Sequence, residues 1–213
     1  MLIKICGLRR AEDIAFVNEA LPDYAGFILS GGFRRSISAS QFSELSPLLD
    51  KRIKAVGVFV DEDIRNVLAL TDKLDVIQLH GNEDESYIKE LRKLFNGDIW
   101  KAVRASSAAE IEKADKLGAD LLLIDSYVKG LVGGTGKTAD TDIIISADFK
   151  TPFFLAGGIS AENVSDLTKR TRPLGVDASG SVETDGYKDK DKILTLVKTV
   201  RDLTNFEMRD LNE

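Results

Sequence analysis

Short apolar, often β-branched runs alternate along the whole chain with stretches whose apolar positions recur at helical spacing. Leu2 to Cys6 reads as a buried strand closed by Gly7, and a helix follows with Ile14, Val17 and Leu21 on one face, ended by Pro22. Tyr24 to Leu29 is a second strand, Ser30 to Ser36 a glycine-bearing loop, and Ser40 the expected cap of a helix carrying Phe42, Leu45 and Leu49. Ile53 to Val60 is a third strand, with Asp61 expected to cap the helix of Ile64, Val67 and Leu70. Asp75 to Leu79 stops at His80-Gly81, and a helix is predicted from about Glu83 to Phe95. Asp98 to Val103 leads to a helix over Ser107 to Leu117 that Gly118 can end. Leu121 to Ile124 ends at Asp125, before a glycine-rich stretch at Gly130 to Gly136 and a weakly patterned helix near Asp140 to Asp148. Pro152 to Ala156 closes at Gly157-Gly158 before a helix starting near Ser160 or Ala161. Leu174 to Val176 closes at Asp177-Ala178-Ser179-Gly180, and a last helix spans about Asp189 to Leu203.

Eight strand-then-helix units with no spare strand predict a closed parallel (β/α)8 barrel, a TIM barrel, occupying residues 1–213 as one domain. The rival is an open, doubly wound sheet, which would usually have fewer strands or an added edge. In a barrel the chemistry gathers at the carboxyl ends of the strands. That rule converts scattered polar residues into a ring of Cys6, His80, Asp125 and Asp177, with Arg35 in a strand-to-helix loop.

Composition narrows the function. The 213 residues carry a net charge of −6 with both signs interspersed, which argues against a nucleic-acid footprint or an anionic-membrane patch. One cysteine cannot form an internal disulfide, in keeping with a reducing cytoplasm. No signal peptide and no apolar run of membrane-spanning length is present in the sequence.

The ring admits a specific chemistry. Gly157-Gly158 and Ser179-Gly180 lie in the loops after strands seven and eight, where barrels bind phosphate through backbone N–H groups. Either pair alone is equally well a simple turn; the two together favour a phosphate site. Alternation puts Lys4 and Cys6 on one face of the first strand, an odd pairing for a strand that only packs. Cys6 is then either an inert buried thiol or, as a thiolate helped by Lys4, a base able to take a proton from carbon. Asp125 is either its acid partner or a cap of the following loop. Arg35 suits two-pronged binding of a carboxylate, or is simply solvated. His80, the only histidine, has no companion cluster, so no metal site is expected; it shapes the pocket or satisfies buried polar groups.

These residues resemble the phosphoribosylanthranilate isomerase family of tryptophan biosynthesis. The resemblance rests on Lys4-Ile5-Cys6-Gly7, Val56-Gly57-Val58-Phe59-Val60, Gln78-Leu79-His80-Gly81, Gly133-Gly134-Thr135-Gly136, Leu155-Ala156-Gly157-Gly158-Ile159 with Glu162-Asn163-Val164, and Gly175-Val176-Asp177. The segments are weak singly and highly specific as an ordered set spanning nearly the whole chain. The resemblance implies a cofactor-free Amadori rearrangement of N-(5-phosphoribosyl)anthranilate, with Asp125 as general acid and Cys6 as general base. It places Arg35 at the anthranilate carboxylate and Asp177 at the sugar, with a monomer or homodimer as the expected assembly.

Three departures from the family pattern stand out. Phe33-Arg34-Arg35 replaces the usual Ser-Pro-Arg, which offers Arg34 as a second candidate for the carboxylate. The last phosphate loop reads Asp177-Ala178-Ser179-Gly180-Ser181-Val182-Glu183, with a serine displaced by one position from the usual Asp-Val-Ser-Ser-Gly-Val-Glu. The usual aromatic pair is missing at Ala139-Asp140-Thr141. Rival functions are another sugar-phosphate isomerase, a sugar-phosphate epimerase, which would generally need a metal cluster that a single histidine makes hard to build, and a catalytically silent barrel that binds a phosphorylated metabolite.

Overall fold

In the computed structural model of the protein, residues 1–125 and 141–210 are described, with side chains up to residue 203. The predicted helix near Asp140 is seen only from Thr141, and the glycine-rich stretch at Gly130 to Gly136 lies outside the described residues.

Eight parallel strands close on themselves in sequence order: β1 (Leu2–Cys6), β2 (Tyr24–Ile28), β3 (Lys54–Phe59), β4 (Val76–Leu79), β5 (Asp98–Arg104), β6 (Leu121–Asp125), β7 (Phe153–Ala156) and β8 (Gly175–Ala178). β1 pairs with β8 in the register Lys4 to Asp177, which seals the barrel. Around it run α1 (Ala11–Ala20), α2 (Ala39–Leu45), α3 (Ile64–Leu68), α4 (Glu85–Arg92), α5 (Ala108–Asp115), α6 (Thr141–Ser146), α7 (Val164–Thr171) and α8 (Lys190–Asp210). The fold is a TIM barrel, and the open-sheet alternative is excluded.

The period of two along each strand separates two cores. On β6, Leu122 and Ile124 join the layer between strands and helices, while Leu121, Leu123 and Asp125 face inward. The inward residues stack in tiers. At the bottom, Tyr24, Val56, Val76, Trp100, Leu121 and Phe154 form a plug. Its three rings meet at centroid distances of 4.8 Å (Tyr24–Trp100), 5.0 Å (Trp100–Phe154) and 5.7 Å (Tyr24–Phe154). Above it, Ala102, Leu123 and Ala156 are small or aliphatic and leave space that the polar top tier surrounds. The barrel is therefore solid below and hollow above.

The lower rim is tied by a repeated device. Asp23, Asp75 and Asp120 precede strands β2, β4 and β6, and each accepts a hydrogen bond from a backbone N–H at the start of the preceding strand: Ile3 (2.8 Å), Ala55 (2.8 Å) and Ile99 (2.7 Å). These carboxylates stabilise the face away from the site.

Several local expectations shift. Ser38, not Ser40, caps α2: it accepts from Gln41 N, and the Gln41 side chain returns to the Ser38 N–H as a capping box. Asp63, not Asp61, caps α3. Asp61 instead takes a positive φ of 48° and accepts from Asn82, holding the loop after β4. Glu83 precedes α4, whose cap is Asp84. α7 starts at Val164 because Asn163 folds back, its amide donating to Gly158 O (2.9 Å) and its Oδ1 accepting from Ser160 N (2.9 Å). A small hairpin of β9 (Glu183–Thr184) and β10 (Tyr187–Lys188), absent from the sequence reading, follows β8. Asp185 and Gly186 turn it with φ of 51° and 80°, as a two-residue hairpin loop requires. Among the described residues, no helix is long and apolar enough to cross a membrane.

Candidate active site

The hollow top of the barrel is a cavity of about 610 Å³. Its lining includes every sequence-predicted site residue: Cys6, Arg35, His80, Asp125, Gly157, Gly158, Asp177, Ser179 and Gly180. Ile28, Val58, Gln78, Leu123, Ala156 and Ser181 complete the wall. A second cavity of about 370 Å³ shares Ile28, Arg35, Val58, His80 and Asp125 and is otherwise lined by Phe33, Arg34, Val60 and Arg104.

On β1, Lys4 and Cys6 both point into the barrel, 0% and 6% exposed. Cys6 pairs across the ladder with Gly26, where a β-carbon would stand 2.7 Å from Cys6 Sγ and 3.0 Å from Lys4 Cε. Glycine at that position makes room for the thiol and the lysine side by side. Lys4 Nζ donates to Asp177 Oδ1 at 3.0 Å, and Asp177 is 9% exposed. Burial by itself would depress the Lys4 pKa, but Asp177 and the Cys6 sulfur outweigh it and hold the ammonium above its ordinary value. Lys4 is therefore a fixed buried cation next to the thiol.

Asp125, half-buried at the end of β6, faces His80 at the end of β4 closely enough to act on its charge. Burial lowers the His80 pKa, with Lys4 adding to the effect and Asp125 opposing it, so the imidazole is neutral at physiological pH. The loop carrying His80 is pinned from outside the barrel. Glu83 accepts from Gly81 N (2.9 Å) and Asp61 N (2.8 Å), and it pairs with Lys101 Nζ at 3.0 Å in a fully buried setting.

Arg35 lines the cavity as expected, but its guanidinium is not free. It makes a two-pronged pair with Glu183, Nε to Oε1 at 2.5 Å and NH2 to Oε2 at 2.9 Å. Arg34 reaches the same carboxylate at 2.5 Å and Lys188 at 3.0 Å. Burial would raise the Glu183 pKa, but its bonds to Arg35 and Arg34, with Lys188 nearby, hold it down at about 2. Three cations around one carboxylate leave the rim of the cavity positive.

The two glycine loops meet at the same cavity. Gly157 and Gly158 adopt φ of 95° and 70°, a left-handed turn that brings backbone to the cavity wall. Ser179 Oγ donates to Cys6 O (3.0 Å) and Ser181 Oγ to Ile159 O, so both hydroxyls brace the loops. Lys188 Nζ donates to Ser179 O at 2.9 Å, joining the hairpin to the loop after β8.

The sequence reading missed Glu183, Lys188 and Gln78 as site residues. Glu183 sat within the quoted loop motif, and Gln78 was detectable as a polar residue at an inward position two after Val76. Among the described residues, no three His, Cys, Asp or Glu side chains come together to hold a metal.

A thiol beside a fixed cation, a carboxyl near a neutral imidazole, and glycine turns at one closed-bottomed cavity suit proton transfer on a phosphorylated sugar. The chain falls in the class of intramolecular aldose–ketose isomerases. A family model for N-(5'phosphoribosyl)anthranilate (PRA) isomerase matches residues 3–199. The N-(5'-phosphoribosyl)anthranilate isomerase of Endomicrobium trichonymphae is 44% identical over 203 residues, covering 94% of this chain and 98% of its own. The crystal structure of phosphoribosyl anthranilate isomerase from Thermotoga maritima superposes with a TM-score of 0.84 at 31% identity, covering 95% and 99% of the two chains. Another phosphoribosyl anthranilate isomerase structure, in complex with reduced 1-(o-carboxyphenylamino)-1-deoxyribulose 5-phosphate, gives 0.81 at 29% identity over 95% and 100%. The chain belongs to the phosphoribosylanthranilate isomerase family of tryptophan biosynthesis.

Proposed function

We propose that the protein converts N-(5-phosphoribosyl)anthranilate to 1-(2-carboxyphenylamino)-1-deoxy-D-ribulose 5-phosphate with Cys6 as general base and Asp125 as general acid, as a cytoplasmic, single-domain enzyme. The observation that carries this reading is the convergence of Cys6, Asp125 and both glycine loops on one cavity. Asp125 protonates the furanose ring oxygen, the C1–O bond breaks, and an iminium forms. Cys6, as thiolate, removes the proton from C2 to give an enolamine. The enolamine gains a proton at C1 and loses that of its C2 hydroxyl, yielding the ketone. One proton passes between the Cys6 thiol and the Asp125 carboxylate through solvent to reset the pair. C2 is oxidised and C1 reduced within one molecule, so the chemistry calls on no external redox partner.

The remaining residues divide the binding. Gly157, Gly158, Ser179 and Gly180 take the phosphate, chiefly through backbone N–H groups, because the Ser179 hydroxyl already bonds Cys6 O. Asp177, held by Lys4, takes a sugar hydroxyl. Arg35 takes the anthranilate carboxylate in the second cavity, with Arg34 beside it on the same Glu183 anchor. His80, kept neutral by burial, supports Asp125 without competing for its proton.

The direct test follows loss of the fluorescence of N-(5-phosphoribosyl)anthranilate, generated in situ, on addition of the purified protein. Enzyme-dependent consumption is expected. No consumption, with phosphosugar binding retained, would favour a silent metabolite-binding barrel instead.

A further inference from the structure

Two buried lysines flank the Cys6 thiol, and the mechanism above calls on only one of them. Lys188 ends β10, and its side chain is 1% exposed. Its Nζ pairs with Glu183 Oε1 at 3.0 Å and donates to Ser179 O at 2.9 Å, and the Ser179 hydroxyl in turn donates to Cys6 O at 3.0 Å. Gly7, next to Cys6, packs on the same cluster: a β-carbon there would stand 2.5 Å from Arg35 Cδ and 3.3 Å from Ser179 Oγ. Lys188 thus sits behind the loop after β8, close enough to Cys6 for the two charges to act on each other. Burying an ammonium costs a fold more than burying an apolar chain of the same length. Glu183 does not need this one as a counter-ion, because Arg35 and Arg34 already hold its carboxylate.

The charges around Cys6 show where this surplus cation acts. Lys4 of β1 is matched by Asp177 of β8, a pair that is neutral as a unit. Around Glu183 of β9, three cations face one carboxylate and leave positive charge in excess. Arg34 is 52% exposed, so solvent screens it, whereas Lys188 is shielded from solvent and its field is not. Asp125 and the neutral His80 line the same cavity from β6 and β4. Burial lowers the Lys188 pKa; Glu183 and a Cys6 thiolate oppose the fall, and Arg35 adds to it. The attraction is mutual, so an ammonium that a thiolate stabilises stabilises that thiolate equally. We propose that Lys188 is a positioning residue, a second buried cation that holds Cys6 as a thiolate while bracing the loop after β8. The inference rests on the base role proposed for Cys6 and adds the residue that charges it. Lys188 stands behind the cavity wall rather than in it, so it acts on the reaction through Cys6, which accepts the C2 proton only as thiolate.

Cys6 is the only cysteine, so the pH dependence of its alkylation by iodoacetamide in the intact protein reads the thiolate directly. Three variants divide the role. Lys188→Met removes charge and donor, Lys188→Gln removes the charge but keeps a donor for the Ser179 carbonyl, and Lys188→Arg keeps the charge. Glu183 retains both arginines in each, so the fold should survive, with circular dichroism and thermal unfolding as the check. The alkylation midpoint should rise by about one pH unit in Lys188→Met and Lys188→Gln, a roughly tenfold slower reaction at any pH below the midpoints. Lys188→Arg should return it close to the wild-type value. The acid limb of kcat/KM for N-(5-phosphoribosyl)anthranilate should move up by the same amount as the midpoint. An unmoved midpoint in folded Lys188→Met and Lys188→Gln would overturn the proposal, even with a lower Tm or a higher KM, because Lys188 would then be a loop brace alone. An equal rise in all three variants would overturn it too, since packing rather than charge would be the cause. Alkylation needs no turnover, so it decides the role of Lys188 even if the wild type proves inactive, an outcome that would fail the proposed function separately.

Discussion

Replacing Lys4 with methionine removes the buried cation on which the β1 side of the site depends. Lys4 is fully buried and bonds an Asp177 that is 9% exposed, so its loss leaves a nearly buried carboxylate without its counter-ion. Breaking a buried pair from one side costs about 3–5 kcal/mol. Asp177 opens onto the cavity, so the low end applies, about 3 kcal/mol. For a domain of this size that is a fall in Tm of roughly 6–12 °C. The pH dependence carries a sign. Because Lys4 is held above its ordinary pKa of 10.5, its contribution is complete below that value and is lost only as pH rises through the higher folded value. The difference between Lys4→Met and wild type should thus be constant from pH 6 to 9. The double variant Lys4→Met, Asp177→Leu removes both charges and should recover most of the stability. Activity should not return with it, because the cation beside Cys6 and the carboxylate for the sugar are both gone. The assays are thermal unfolding and turnover on the same preparations. A Lys4→Met Tm within 2 °C of wild type, or a double variant no more stable than the single, would refute the reasoning.

Other expectations follow from the same geometry. Glu183 has its pKa held at about 2 against an ordinary 4.5, so its ion pairs stabilise the fold above pH 4.5 and are lost as pH falls through that window; Glu183→Gln should flatten acid unfolding between these limits and raise KM by loosening Arg35, and an unchanged acid profile counts against the network. Gly26→Ala places a β-carbon 2.7 Å from Cys6 Sγ and 3.0 Å from Lys4 Cε; kcat should drop at least about tenfold with Tm lowered by only a few degrees, whereas full activity would show that the thiol has latitude the structure denies it.

Much of the architecture was legible in the sequence because parallel strands covered on both faces leave a strong mark. Leu121 to Ile124 is apolar without interruption, and the barrel rule then gathered Cys6, His80, Asp125 and Asp177 from four separate strands. Local details failed where two similar residues competed. Asp61 and Asp63 are both plausible caps, and tertiary contact with Asn82 drew Asp61 away. Ser38 carried its own signal, a glutamine three residues on, that outranked Ser40. The Asp185-Gly186 hairpin was equally visible as a turn pair, but two-residue strands are too short for a period-two pattern. The anchoring of Arg34, Arg35 and Lys188 on Glu183 spans about 150 residues for the arginines and has no sequence signature. Nor does the unpaired oxygen of Gln78, which exists only relative to its surroundings.

The most direct test of the central claim is turnover of N-(5-phosphoribosyl)anthranilate by Cys6→Ala and Asp125→Asn, side by side with the wild type and with circular dichroism to verify folding. The account predicts a loss of at least about a hundredfold in kcat for each variant, with the fold and analogue binding retained. Near-normal turnover by either folded variant would contradict the role assigned to that residue.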